Sequence, residues 1–180
     1  MKINNHWLTT VARTPSPNFD ERPDAKDISL LVIHCISLPP DEFGGIYIDQ
    51  LFCNRLNPEE HPYFKDVYQL SVSAHVLIKR SGKIVQYVPF DKRAWHAGKS
   101  SYQGREQCND YSIGIELEGT ERIAYTQAQY RQLAAVIRLL LESYPHLSAQ
   151  RIAGHSEIAP GRKTDPGESF DWQKLFSLLT

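Results

Sequence analysis

The run Ile28 to Ile36, ISLLVIHCI, constrains the fold most. It is almost continuously apolar and rich in β-branched residues. Such a run suits a strand covered on both faces, and that requires layers packed above and below the sheet. His34 interrupts it near the end, where α/β folds place their chemistry. Taken alone, His34 reads either as a core histidine bonded to backbone or as a ligand.

Other elements follow from spacing. Residues 11–27 hold Pro, Asn and Asp and read as an extended lead-in. Ile46 to Arg55 reads as a short helix, and Asn57 to Tyr68, with two prolines, as a loop. Ser71 to Ile78 and Lys83 to Val88 read as strands joined by a turn at Arg80-Ser81-Gly82. Residues 96–110 read as a loop. Ser112 to Glu118 alternates, with Ile113, Ile115 and Leu117 on one face and Ser112, Gly114, Glu116 and Glu118 on the other. For Glu118 a solvated position is expected. Thr126 to Tyr144 is the clearest helix, with apolar residues at helical spacing, a capping box from Thr126 and Gln129, and Pro145 as its stop. Arg151 to Ala153 reads as a strand and Asp171 to Leu179 as a closing helix. The expected fold class is α/β: a central mixed sheet flanked by helices, in one domain over residues 1–180.

The segment Gly154 to Gly167, GHSEIAPGRKTDPG, packs a histidine, a lysine and a carboxylate into a turn rich in Gly and Pro. Two histidines and a carboxylate can hold Zn²⁺ with its fourth position open, which is the pattern of a catalytic site. His34, His155 and Asp165 form such a set; an ordinary Asx turn at Asp165 is the plainer alternative. Glu116 is placed to act as a general base, and Lys163 to stabilise an oxyanion. His75 has apolar neighbours and reads as a packed, hydrogen-bonded histidine. Trp95-His96-Ala97-Gly98 offers an aromatic and an imidazole for ligand contact. Gly98-Lys99-Ser100 lacks the spacing of a phosphate loop.

Some classes are excluded. The formal net charge of −1 argues against a nucleic-acid partner. No apolar window reaches the length of a membrane span. Met1 to Thr10 has no apolar core of a signal peptide, and three cysteines without a CxxC pair fit reduced thiols, so a cytoplasmic location is expected.

In this order, the residues resemble the zinc amidases of the peptidoglycan-recognition-protein fold, specifically the AmpD-type 1,6-anhydro-N-acetylmuramyl-L-alanine amidases. The matching blocks are SPNFDERP (16–23), ISLLVIHCISLPP (28–40), FGG (43–45), VSAHVLI (72–78), RAWHAGKSSYQGRE (93–106), CNDYSIGIELEGT (108–120) and GHSEIAPGRKTDPG (154–167). The resemblance implies one Zn²⁺ held by His34, His155 and Asp165, with Glu116 as the catalytic glutamate and Lys163 assisting at the oxyanion. It implies hydrolysis of the amide between anhydromuramic acid and the first L-Ala of the stem peptide, in recycling of cell-wall muropeptides. Where such fragments induce β-lactamase, loss of such an enzyme raises induction. A monomer is expected.

Three positions depart from the pattern. The family commonly has Asn at Cys35 and Arg at Ser71 and Gln107, where these residues help hold the muropeptide. Cys35, Ser71, Trp95, His96, Gln107 and Arg162 are therefore the expected substrate contacts, and the changes put substrate affinity in question. Alternatives are a broader cell-wall amidase, which needs export, and a non-catalytic peptidoglycan-recognition module, which usually lacks a zinc ligand. A structural zinc protein is a third, but structural sites are usually closed by four protein ligands.

Overall fold

A computed structural model describes residues 1–180. Its main sheet has six strands: β1 (Ala12–Arg13), β2 (Leu30–Ile36), β3 (Val76–Ile78), β4 (Ile84–Gln86), β5 (Ser112–Glu118) and β6 (Ile152–Gly154). Their order is β6–β2–β5–β3–β4–β1. The first four in that order run parallel, β3 and β4 pair antiparallel, and β1 lies parallel to β4. Five helices accompany the sheet: α1 (Tyr47–Phe52), α2 (Phe64–Val67), α3 (Gln127–Ser143), α4 (His155–Ile158) and α5 (Trp172–Leu179). The expected mixed sheet flanked by helices is thus observed.

Alternation along β2 sorts two cores. Leu31 and Ile33 join Ile113, Ile115 and Leu117 of β5 and Leu133, Ile137 and Leu140 of α3 in the principal core. Leu30 and Val32 face the other way, into a smaller cluster with Ala97, Cys108, Tyr111, Ala153 and Ile158. A third cluster packs α1 and Phe64 of α2 on Leu77, Val85 and Tyr87. His34 shares the face of Leu30 and Val32, so the polar chemistry is kept away from α3.

The face of β5 carrying Ser112, Gly114, Glu116 and Glu118 is buried, not solvated, because Cys108 meets Ser112, His96 lies over Gly114, and the Gly44 and Arg80 loops close on Glu118. Glu118 corrects the expectation made for it. It is 2% exposed and accepts hydrogen bonds from the Gly44 N–H (2.6 Å) and the Arg80 N–H (2.9 Å), tying two loops together.

Other expectations shift at their edges. The stretch expected as a loop, Asn57 to Tyr68, contains α2, a single turn too short to show periodicity, docked by the fully buried Phe64. The strand expected from Ser71 starts only at Val76, because Ser73 N–H turns to the Trp95 carbonyl (3.1 Å). The lead-in contributes β1 and a short strand, Phe19–Glu21, paired with Lys92–Ala94. Residues 96–110 hold a small hairpin, Ser101–Tyr102 with Arg105–Glu106, and a 3₁₀ turn at Cys108–Asp110.

The capping box at α3 is present. Thr126 Oγ1 accepts from Gln129 N–H (3.1 Å), Gln129 Oε1 accepts from Thr126 N–H (3.0 Å), and Thr126 Oγ1 also donates to the Arg80 carbonyl (2.8 Å). Since α3 covers the principal core, the cap bears on global stability. Thr126→Ala is expected to cost about 1 kcal/mol and lower the thermal midpoint by about 2–4 °C. An unchanged midpoint in a thermal scan would contradict this.

Candidate active site

Strand register assembles the site. In the parallel pair β2–β5, Glu116 lies opposite His34. In β6–β2, Gly154 lies opposite Ile33, so His155, one residue further, enters level with His34. There the chain leaves the sheet as the one-turn helix α4. The following turn returns Asp165, whose carbonyl accepts from the Ser156 N–H (2.9 Å). Gly167 ends this turn at φ +83°, and a Cβ there would lie 2.3 Å from the Glu121 Cα, so a side chain is excluded.

Three ligand atoms converge. His34 Nδ1 and His155 Nδ1 are 3.0 Å apart, and Asp165 Oδ2 lies 3.2 and 3.1 Å from them. All three residues are buried. Tetrahedral coordination with bonds of about 2.0–2.1 Å separates ligand atoms by about 3.3 Å, close to these spacings. Chemistry agrees with geometry. His155 Nε2–H donates to the Ala97 carbonyl (3.1 Å), so in the neutral ring Nδ1 holds a lone pair. A lone pair and a carboxylate oxygen facing each other in a buried site repel unless a proton or cation sits between them. The residues therefore fit a metal ion.

Electrostatics follow from burial. Desolvation lowers the His34 pKa to about 4, with the Asp165 carboxylate opposing it and His155 adding to it. Burial alone would raise Asp165, but its close contacts with the His155 and His34 imidazoles more than offset this, and its carboxyl sits below the usual range. Glu116 is raised well above the usual carboxylate range, by burial first and then by Asp165, with Lys163 opposing. Its Oε2 is buried and has no hydrogen-bond partner.

These groups line a groove of about 310 Å³. Glu116, Trp95 and Lys163 line it together with the three ligand residues. Trp95 Nε1 is likewise buried without a partner. Lys163 is exposed at the groove, and Ser71 is exposed beside its lining residues Leu70 and Val72. Gln107 and Arg162 instead line a second recess of about 570 Å³, together with Lys99. That recess is larger but holds none of the buried titratable groups, so the groove is the candidate site.

Two expected substrate contacts are placed differently from the expectation. Cys35 borders the groove, but strand alternation sends its thiol to Tyr125 and the principal core. His96 also borders the groove, yet its ring is spent on protein: Nδ1 meets His34 Nε2 (2.9 Å) and Nε2 meets Ser112 Oγ (3.1 Å). His75 is fully buried, accepting from the Gly114 N–H at Nδ1 (3.0 Å) and donating from Nε2 to the Lys92 carbonyl (3.0 Å). Sequence reasoning passed over Ser112, the Ala97 carbonyl and Arg22, whose guanidinium donates to the carbonyls of Phe90, Asn109, Asp110 and Ser112. Only Ser112 carried a signal, since alternation puts it on the face of Glu116.

The chain belongs to the N-acetylmuramoyl-L-alanine amidase family, which matches residues 24–168, and it is an enzyme of that activity. It is 61% identical over 180 residues to 1,6-anhydro-N-acetylmuramyl-L-alanine amidase AmpD of Citrobacter freundii, covering 100% of this chain and 96% of that protein. A crystal structure of a selenomethionine AmpD derivative superposes with a TM-score of 0.97 at 60% identity, covering 100% of both chains. AmpDh3 of Pseudomonas aeruginosa, solved in complex with anhydromuramic pentapeptide, matches at TM-score 0.65 and 26% identity, over 99% of this chain and 65% of that one.

Arg162 braces the loop that carries the Ala97 carbonyl, donating to the Ala97 (2.6 Å) and Lys99 (2.7 Å) carbonyls beside Gly98 at φ +58°. Arg162→Ala is expected to speed amide hydrogen exchange over residues 98–100 while leaving β2 and β5 protected. Unchanged exchange there would show that the brace is not needed.

Proposed function

We propose that the groove carries out zinc-dependent hydrolysis of the amide between 1,6-anhydro-N-acetylmuramic acid and the L-Ala of the stem peptide. The convergence of His34, His155 and Asp165 beside an unpartnered Glu116 oxygen carries this reading. The similarity to amidases named for the anhydromuramyl substrate supports it. So does a relative solved with an anhydromuramic pentapeptide. The substrate is a muropeptide recycled in the cytoplasm, the enzyme works as a monomer, and its loss raises β-lactamase induction where such fragments are the inducer. No helix is long and apolar enough to cross a membrane.

His34, His155 and Asp165 would hold the ion. Bound there, zinc would supply a Lewis acid for the scissile carbonyl and make a nearby water more acidic. Glu116, whose Oε2 has no partner at the groove, takes a proton from the attacking water and passes it to the leaving amine of L-Ala. Lys163, a free cation at the same groove, offsets negative charge growing on the carbonyl oxygen. Trp95 offers an indole face and an unspent N–H to the sugar or the peptide.

Two measurements check this. By elemental analysis the protein should hold one zinc per chain, and His155→Ala should lose it; full retention would sink the ligand assignment. Glu116→Ala should keep zinc and fold but lose about 10²- to 10⁴-fold in kcat, measured as peptide release from an anhydro-muropeptide. Near-normal turnover would assign the proton transfer elsewhere.

The substitutions at Ser71 and Gln107 bear on affinity. Arg105 does not replace the missing charge, because it pairs with Asp27 (2.6 Å) and lies over the Tyr111 ring. Arg162 is spent on backbone carbonyls. The double variant Ser71→Arg/Gln107→Arg should therefore lower KM on an anhydro-muropeptide with a tripeptide stem, by about 10-fold or more, with kcat little changed. An unchanged KM would contradict the account of these positions.

A further inference from the structure

We propose that the dipeptide His96–Ala97, with Ser112 behind it, fixes which nitrogen of each ligand histidine faces the metal. The inference rests on the zinc reading above. It assigns His96 and Ser112 as positioning residues, with no contact to substrate required.

Ser112 Oγ donates its only proton to the Cys108 carbonyl (2.5 Å). Facing His96 Nε2 at 3.1 Å, it must therefore accept, so His96 carries its proton on Nε2. In neutral His96, Nδ1 is then an acceptor, and it lies 2.9 Å from His34 Nε2. His34 must donate from Nε2, which leaves its Nδ1 lone pair turned towards His155 and Asp165. The second ligand is set by the next residue: His155 Nε2–H donates to the Ala97 carbonyl. One dipeptide thus supplies the outer acceptor to both ligand histidines, from a side chain for one and from the backbone for the other.

The dipeptide is itself fixed. Asn109 Oδ1 accepts from both its N–H groups, at 3.1 Å for His96 and 2.8 Å for Ala97. Arg22 holds the carbonyls of Asn109 and Ser112. The His96 ring lies against β5 where Gly114 leaves room: a Cβ at Gly114 would sit 2.4 Å from His96 Cγ. Outer partners of this kind orient a metal-binding imidazole and raise its basicity.

The test has two readouts besides turnover. Long-range ¹H–¹⁵N correlation of the imidazoles in wild-type protein should show His96 protonated at Nε2 with or without zinc, and His34 and His155 protonated at Nε2 in the zinc form. Competition with a chelator should show His96→Phe weakening zinc affinity about 10- to 100-fold, and His96→Asn, whose Oδ1 replaces the Nδ1 acceptor, recovering part of it. Gly114→Ala, which displaces the ring without touching a ligand, should also weaken it. Should His96→Phe not fold, Ser112→Ala carries the same test with a smaller loss. A proton on His96 Nδ1, or zinc affinity unchanged in these variants, would overturn the proposal. Absence of zinc binding by the wild type, with the His96 tautomer as stated, would instead overturn the zinc reading alone.

Discussion

The site depends on the parallel register of three neighbouring strands. Pairing His34 with Glu116, and Ile33 with Gly154, sets His155, His34 and Glu116 at one level on one face of the sheet. A slip of one residue would turn His34 into the principal core and bring Cys35 to the groove. Register is held by apolar burial on both faces, because Leu31 and Ile33 pack in the principal core under α3, and Leu30 and Val32 in the loop-side cluster. The same burial that stabilises the sheet therefore aims the chemistry.

Burying so many polar groups costs free energy unless each finds a partner. The protein meets this with shared acceptors and donors. Asn109 serves two N–H groups, Arg22 serves four carbonyls, and Glu118 ties two loops. Against that background the exceptions are informative. Among buried side-chain atoms without partners, Glu116 Oε2 and Trp95 Nε1 belong to residues that line the groove. The other two such atoms, Gln50 Oε1 and Arg80 Nη1, belong to residues outside the groove.

Much of this was legible in the sequence. The buried strand around His34 and the helix opened by Thr126 and Gln129 follow from local pattern, whereas the pairing of a strand-end histidine with the Gly- and Pro-rich turn rested on residue types and on the resemblance. What was hidden depends on long-range contacts. Alternation showed a polar face on Ser112 to Glu118 but gave no sign that the loops at Gly44 and Arg80 close over its far end, so Glu118 was expected in solvent. One-turn α2 is anchored by a single aromatic, which leaves no period to read. His96 resembled a ligand contact because an imidazole beside a tryptophan suits one; only the fold brings its Nδ1 to His34, 62 positions away.

In the proposed site two imidazole nitrogens and one carboxylate oxygen, and no thiolate, would hold a zinc ion at the level of Glu116. X-ray absorption spectroscopy of the zinc-loaded protein tests this most directly. The account predicts a first shell of nitrogen and oxygen only, with outer-shell scattering from two imidazoles that falls to one in His155→Ala with any metal that variant retains. A sulfur neighbour, which would implicate Cys35, Cys53 or Cys108, or a shell without imidazole scattering, would contradict it.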